Sequence, residues 1–170
     1  GIIKFCSNNA QINSTNQILG GIAGSIQGGL ISSCYNTGAI TTTGYNSANY
    51  SSTVGGIVGY SRADANGDII YCYNTGNITG AGTSIGGIVG SCASGKTNEN
   101  ITCESGTKYP GGIVGGNIGS KVLNCYTLSS KISTLIANNK GTSTNNSAKS
   151  DSEMKTSEFV TLLNGTYYWY

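Results

Sequence analysis

The side chains in this sequence with chemistry of their own are six cysteines, eleven tyrosines and the one close pair of acids within the repeats, Asp64 and Asp68, with Arg62 beside them. Clustered carboxylates with a basic neighbour are the equipment of polysaccharide cleavage. This pair, however, lies in an insert between Gly59 and Cys72 and does not recur elsewhere. There is no histidine, the side chain that titrates nearest neutral pH, and no second acidic cluster within the repeats. The cysteines are not closely paired, so the spacing of a thiolate metal site is absent. No catalytic, cofactor-binding or metal-binding residue is therefore assigned, no cofactor is implied, and the chain reads as a non-enzyme.

Five cysteines (Cys6, Cys34, Cys72, Cys103 and Cys125) share one phase of a repeated pattern. Parallel strands in register hold equivalent Cβ atoms about 4.8 Å apart, beyond the roughly 3.5–4.5 Å of a disulfide. The pattern predicts a column of buried, reduced thiols acting as small apolar residues. Cys92 is off that phase, within an insert, and is the thiol expected to be exposed. Tyr35, Tyr73 and Tyr126 each follow a cysteine by one residue and are expected to face outward. They are the candidate ligand surface, either an aromatic platform for sugar rings or a stacked, solvated strand face. Glu104, which takes the tyrosine position after Cys103, favours the second reading.

What must position these residues is a repeat. Gly55-Gly56-Ile57-Val58-Gly59 returns as Gly86-Gly87-Ile88-Val89-Gly90 and as Gly111-Gly112-Ile113-Val114-Gly115. Gly20-Gly21-Ile22-Ala23-Gly24 precedes them, and a worn copy, Ser133-Thr134-Leu135-Ile136-Ala137, follows. Cys34-Tyr35-Asn36-Thr37-Gly38 returns as Cys72-Tyr73-Asn74-Thr75-Gly76 in step with them. Gly111 to Cys125 is 14 residues and Cys103 to Gly111 is 8, so the minimal unit is 22 residues, with Ser147 placed at the last cysteine position. Longer units differ by inserts at two places, which are expected to be corners.

A 22-residue unit of glycines and short β-branched runs is too short for a helix pair. It predicts an all-β fold, a parallel β-solenoid of about five rungs with about three short strands per turn. The rungs are a partial one at 1–19, then 20–54, 55–85, 86–110, 111–132 and a degenerate one at 133–150. Ile22, Ile57, Ile88, Ile113 and Leu135 form one internal ladder, and Ile12, Ile40 and Ile78 another. Before each cysteine, the residue at −3 (Ile3, Ile31, Ile69) suits the interior better than that at −2 (Lys4, Ser32), which calls for a bend between them.

Residues 151–170 differ in composition. Three of the seven acids lie in 151–158, and Ser157-Glu158-Phe159-Val160-Thr161-Leu162-Leu163 has the spacing of a short amphipathic helix, with Thr156 or Ser157 as its cap. This segment is expected to close the open end of the solenoid, with Phe159, Leu162 and Leu163 over the core and Tyr167, Tyr168, Trp169 and Tyr170 packed nearby.

Composition bounds the rest. Charged residues are 9% and the net charge is +2, with nine basic residues scattered along the chain, so the basic stripe of a nucleic-acid binder is missing. No apolar run has the length of a membrane-spanning helix, and membrane insertion is not expected. The sequence has no signal peptide and no initiating methionine, which reads as a mature or excised fragment.

The paired motifs resemble the GLUG repeat of large exported bacterial proteins. The ending Met154-Lys155-Thr156-Ser157-Glu158-Phe159-Val160-Thr161-Leu162-Leu163-Asn164, then Trp169, is similar to the segment that often closes such arrays. The resemblance implies an exported, extracellular or cell-surface protein and a repeat module without catalysis, serving adhesion, display or spacing. Its partner would be a host or cell-surface protein or a glycan, and end-to-end self-association is conceivable. The alternatives are an accessory region of a secreted peptidase, as in immunoglobulin A protease-like proteins, or a carbohydrate-binding module using Tyr35, Tyr73 and the corner loops.

Overall fold

A computed structural model of the chain describes residues 1–15, 17–43, 53–80, 84–93, 110–111, 114–117, 121–123, 126–128, 134–139 and 142–164. Ile113, Cys103, Glu104, Cys125 and 165–170, which carry several of the expectations above, lie outside them. The described residues are mostly strand, with two short helices after residue 150.

Most strands pair with the equivalent strand one repeat away, Tyr73 pairs with Tyr126 two repeats on, and every pairing among the described residues is parallel. In the six-stranded sheet, Ile3 lies opposite Ile31 and Ile31 opposite Ile69. The same sheet continues from Val58 through Val89 and Val114 to Ile136. A five-stranded sheet places Tyr35 between Ser7 and Tyr73. A three-stranded sheet aligns Ile12, Ile40 and Ile78, and a four-stranded one aligns Leu19, Val54, Ile85 and Pro110. Lys121–Leu123 and Thr142–Thr144 form a short pair of their own.

A complete unit has four strands where three were expected. In the second they are Ile18–Gly20, Ala23–Ser32, Tyr35–Asn36 and Ile40–Thr42. The extra one precedes each glycine pair, and the glycines break it from the strand that follows. A Cβ on Gly55 would meet the Val58 and Ile88 carbonyls, so the chain there passes too close to itself and its neighbour for any side chain.

Two further details of register differ from expectation for local reasons. Gln27 pairs with Arg62 and Gly29 with Gly67, so two steps on one strand face five on the other. The three-residue insert is thus absorbed as a bulge inside the strand Val58–Ile70. In the final repeat, Leu123 pairs with Thr144 and Tyr126 with Ser147, which puts Asn146, and not Ser147, at the cysteine phase. The last unit is one residue shorter than its sequence suggests.

The bend before Cys6, Cys34 and Cys72 is a residue in the left-handed region: Phe5, Ser33 and Tyr71 have φ of 55–56°, as does Asn145 in the last repeat. One left-handed residue reverses the strand's alternation, which lets both Ile31 and Cys34, or Ile69 and Cys72, face inward. For a bulky residue such as Tyr71 this conformation is costly, and the neighbouring rungs hold it in place.

Two apolar clusters make the core. One joins Ile31, Ile57, Ile69, Ile88, Val89 and Val114 with Cys34, Cys72 and Cys92, with Ile22 and Leu135 packed against it. The other joins Leu19, Val54 and Ile85 with Ile40 and Ile78, with Ile12 against it. Both isoleucine ladders therefore lie inside, as far as they are described.

The C-terminal segment forms helix α1 (Asp151–Met154) and helix α2 (Ser157–Asn164) where a single helix was expected. Ser150 starts α1 with a capping box: its hydroxyl accepts the Glu153 N–H, and its own N–H donates to the Glu153 carboxylate at 2.7 Å. Thr156 caps α2, accepting the Phe159 N–H at 3.1 Å. Phe159 does not cover the end of the core. It is 5% exposed and packs with Met154 against Tyr73, on the outer face of the tyrosine row. The side chains of Leu162 and Leu163 lie outside the described residues.

Candidate functional site

The tyrosine row and the helices over it form the most developed surface feature. Tyr35 and Tyr73 stack with ring centroids 4.9 Å apart and planes within 5°. The spacing is that of adjacent strands, so the rings stack because the register places them one above the other. Tyr126 pairs with Tyr73 along the backbone, and Glu104 lies outside the described residues.

Helix α2 covers part of the row. A groove of about 420 Å³ runs between them, with Tyr35, Tyr73 and Thr75 on one wall and Met154 and Phe159 on the other. The exposed ion pair of Asp151 with Lys155, one helical turn apart, stands at its rim. Burial and the neighbouring Tyr35 hydroxyl raise the Tyr73 pKa above its ordinary value. A sugar platform needs a free ring face, but the stacked tyrosines turn one face each toward the other. For Tyr126 only the backbone is described.

The cysteines are the second candidate, and here two expectations are corrected. Cys92 is fully buried and Cys6 is exposed. Cys92 belongs to the strand Val89–Ala93, opposite Ser61 on one side and Asn117 on the other, at an inward phase and in no insert. Cys6 has the expected phase but lies on the first repeat, where no described strand covers it. Cys34 and Cys72 are buried as expected. Each of Cys6, Cys34 and Cys72 donates its thiol to the carbonyl two residues earlier at 3.3 Å. The Cys72 thiol, aided by that of Cys6, brings the Cys34 pKa down to about 7 against the opposing effect of burial.

A third arrangement was not anticipated. The side-chain amides of Asn8, Asn36 and Asn74 form a ladder: Asn8 Nδ2 donates to Asn36 Oδ1, and Asn36 Nδ2 to Asn74 Oδ1, both at 2.7 Å. The second hydrogen of each amide goes back to its own chain, Asn8 to the Ala10 carbonyl and Asn36 to the Gly38 carbonyl. Asn36 and Asn74 are fully buried. The signal was present in the sequence as an Asn two residues after each of Cys6, Cys34 and Cys72. Asp64 and Asp68 lie along the strand Val58–Ile70, in the stretch 63–68 where only the backbone is described, with Asp68 opposite Leu30. Among the described residues, no three cysteines or carboxylates form a group able to enclose a metal ion.

Comparison with known families places the sequence signature of the GLUG motif on residues 50–79. The chain carries a GLUG motif. The matched stretch contains both Gly55-Gly56-Ile57-Val58-Gly59 and Cys72-Tyr73-Asn74-Thr75-Gly76. A single GLUG motif thus joins the tight glycine turn, a member of the thiol column, one ring of the stack and one rung of the asparagine ladder. No curated protein and no solved structure matches the chain.

Proposed function

We propose that the chain is a short parallel β-solenoid, a non-catalytic repeat module of an exported, cell-surface protein that works in adhesion, display or spacing. The observation carrying this reading is the parallel register of equivalent strands, as in Ile12, Ile40 and Ile78 of consecutive repeats. Such stacking makes a rod whose length grows with the number of units and whose corners carry segments free to vary. The GLUG motif supports the repeat-module reading, and the lack of histidine favours binding or spacing over catalysis.

The test has two arms. Antibody raised against the chain should label intact cells of the source organism, and labelling that needs lysis overturns the surface assignment. Beads coated with the chain are then offered host cells, matrix proteins and a glycan array. Specific retention assigns adhesion, its absence with intact surface labelling assigns display or spacing, and turnover of any bound substrate overturns the non-catalytic reading.

A further inference from the structure

We propose that Met154 is an oxidation site, and that its conversion to the sulfoxide by hydrogen peroxide releases helix α2 from the tyrosine row. The inference does not rest on the GLUG motif or on the surface-module reading.

Met154 is the single methionine of the chain and the last residue of α1. It is half-buried, packs against Phe159 and also lines the groove beside Tyr35 and Tyr73, where a small oxidant can reach it. The described apolar attachment of the helices to the strands is one small cluster: Phe159 is buried, with Tyr73 and Met154 packed against it. None of the four residues of α1 is buried, and Glu158 and Val160, the sequence neighbours of Phe159, are exposed. An element attached in this way lies at the low end of local opening free energies.

The thioether supplies the trigger. In its reduced form it is a flexible apolar group that fills an irregular gap beside a ring. Its sulfur attacks one oxygen of the peroxide: an S–O bond forms, the O–O bond breaks, and the other oxygen leaves as water with both peroxide hydrogens. The sulfur is oxidised by two electrons and the peroxide is reduced by two. The product is a polar, chiral sulfoxide. Its oxygen requires a hydrogen-bond donor, which the Phe159 ring does not offer. The sulfoxide therefore turns toward water, and the cluster that holds α2 on Tyr73 loses a member. The helices have two states, docked and undocked, and oxidation biases them toward the second, which widens access to Tyr35 and Tyr73. Cys6 is exposed and reacts with peroxide as well, so the experiment separates thiol oxidation from the effect at Met154.

The full chain is treated with dilute hydrogen peroxide, mapped by mass spectrometry, and followed by hydrogen exchange of residues 157–164. The same is done on Met154→Leu, which keeps the apolar volume and cannot take up the oxygen. Under native conditions Met154 should gain one oxygen. Exchange in 157–164 should then rise about two- to tenfold, the weight of a sulfur–aromatic contact, while the strands Ile12–Ser14 and Ile40–Thr42 keep their protection. Methionine sulfoxide reductases acting on both epimers should restore the original rate. Met154→Leu should exchange at one rate before and after peroxide. Oxidation of Met154 without faster exchange overturns the proposal, and so does a Met154 that takes up oxygen only after denaturation. Equal acceleration in Met154→Leu overturns it too, since the thiols would then be the cause.

Discussion

The side-chain amide of Asn74 lies against the α-carbon of Gly56: a Cβ at Gly56 would come within 2.6 Å of Asn74 Cγ. Asn36 and Gly21 stand in the same relation one repeat earlier. The two motifs keep step because the second glycine of one leaves the room that the asparagine of the other occupies. The predictions below test this arrangement and what surrounds it.

Replacing Gly56 with Ala should be among the most damaging single changes. Its Cβ would run into both the Gly87 carbonyl oxygen and the Asn74 amide, and neither the backbone nor a hydrogen-bonded amide can step aside. A loss of more than about 4 kcal/mol is expected, in the range of severe core defects. At Gly24 the nearest atom to a new Cβ is 3.6 Å away. Gly24→Ala should be neutral or stabilise by about 0.4–1 kcal/mol. Chemical denaturation of the two variants decides the matter, and equal stability would refute the packing argument.

Cutting the asparagine ladder should cost more than removing an exposed hydrogen bond of the same repeat. Asn36→Ala takes one acceptor from Asn8 Nδ2, which keeps the Ala10 carbonyl, and one donor from the buried Asn74 Oδ1, which keeps the Gly76 N–H. Each of the two inter-repeat hydrogen bonds lost contributes about 0.5–1.5 kcal/mol, so a loss of about 1–3 kcal/mol is expected. Thr37→Ala removes only the exposed bond to Asn9 and should change stability by less than about 0.5 kcal/mol.

Tyr73 should report the packing of α2. Its pKa is raised from 10.0 mainly by burial. A group whose neutral form is favoured by folding contributes stability that is fully present below its unfolded pKa. For Tyr73 that contribution is lost as pH rises above about 10 toward the folded value. Phe159→Ala should lower the Tyr73 titration toward the ordinary value and narrow this alkaline loss, as followed by tyrosinate absorbance. An unchanged titration would mean that α2 does not rest on the row.

The capping box should be visible in the titration of Glu153. Its pKa is lowered by the backbone N–H of Ser150 and then by the Ser150 hydroxyl. The matching stabilisation is present above the unfolded pKa and disappears as pH falls through the folded one. Ser150→Ala should move the Glu153 titration upward, measured by NMR of its carboxyl carbon. A titration that stays in place would remove the hydroxyl from the cap.

Thiol labelling under native conditions should modify Cys6 first and leave Cys34, Cys72 and Cys92 protected until the protein unfolds. Peptide mapping after timed alkylation reads the order directly. Early labelling of Cys92 would place its strand at the surface.

The repeat, the all-β class and the two isoleucine ladders are legible in the sequence because they depend on phase alone. Equal spacing of Ile12, Ile40 and Ile78 along a parallel repeat leaves them nowhere to be but one above the other. The same reasoning placed the tyrosines in a row. Exposure was not legible, because phase says which way a side chain points and not what lies beyond it. Cys6 shares the phase of buried Cys34 and is exposed because its strand lies at one edge of its sheet. Cys92 seemed to belong to an insert and is buried because Val89–Ala93 runs on in register past the motif.

The tertiary structure alone decided where the C-terminal helix rests. Its apolar spacing announced a helix that buries one face, and an open core end and a flanking row of aromatic rings are both apolar enough to receive it. Phe159 went to Tyr73, and so formed the groove. The asparagine ladder is the opposite case. Its residues stood in plain view at fixed phase, yet polar side chains at such a phase usually mean solvent. They are buried only because each amide finds the next one repeat away, a partner 28 or 38 residues distant that no local pattern names.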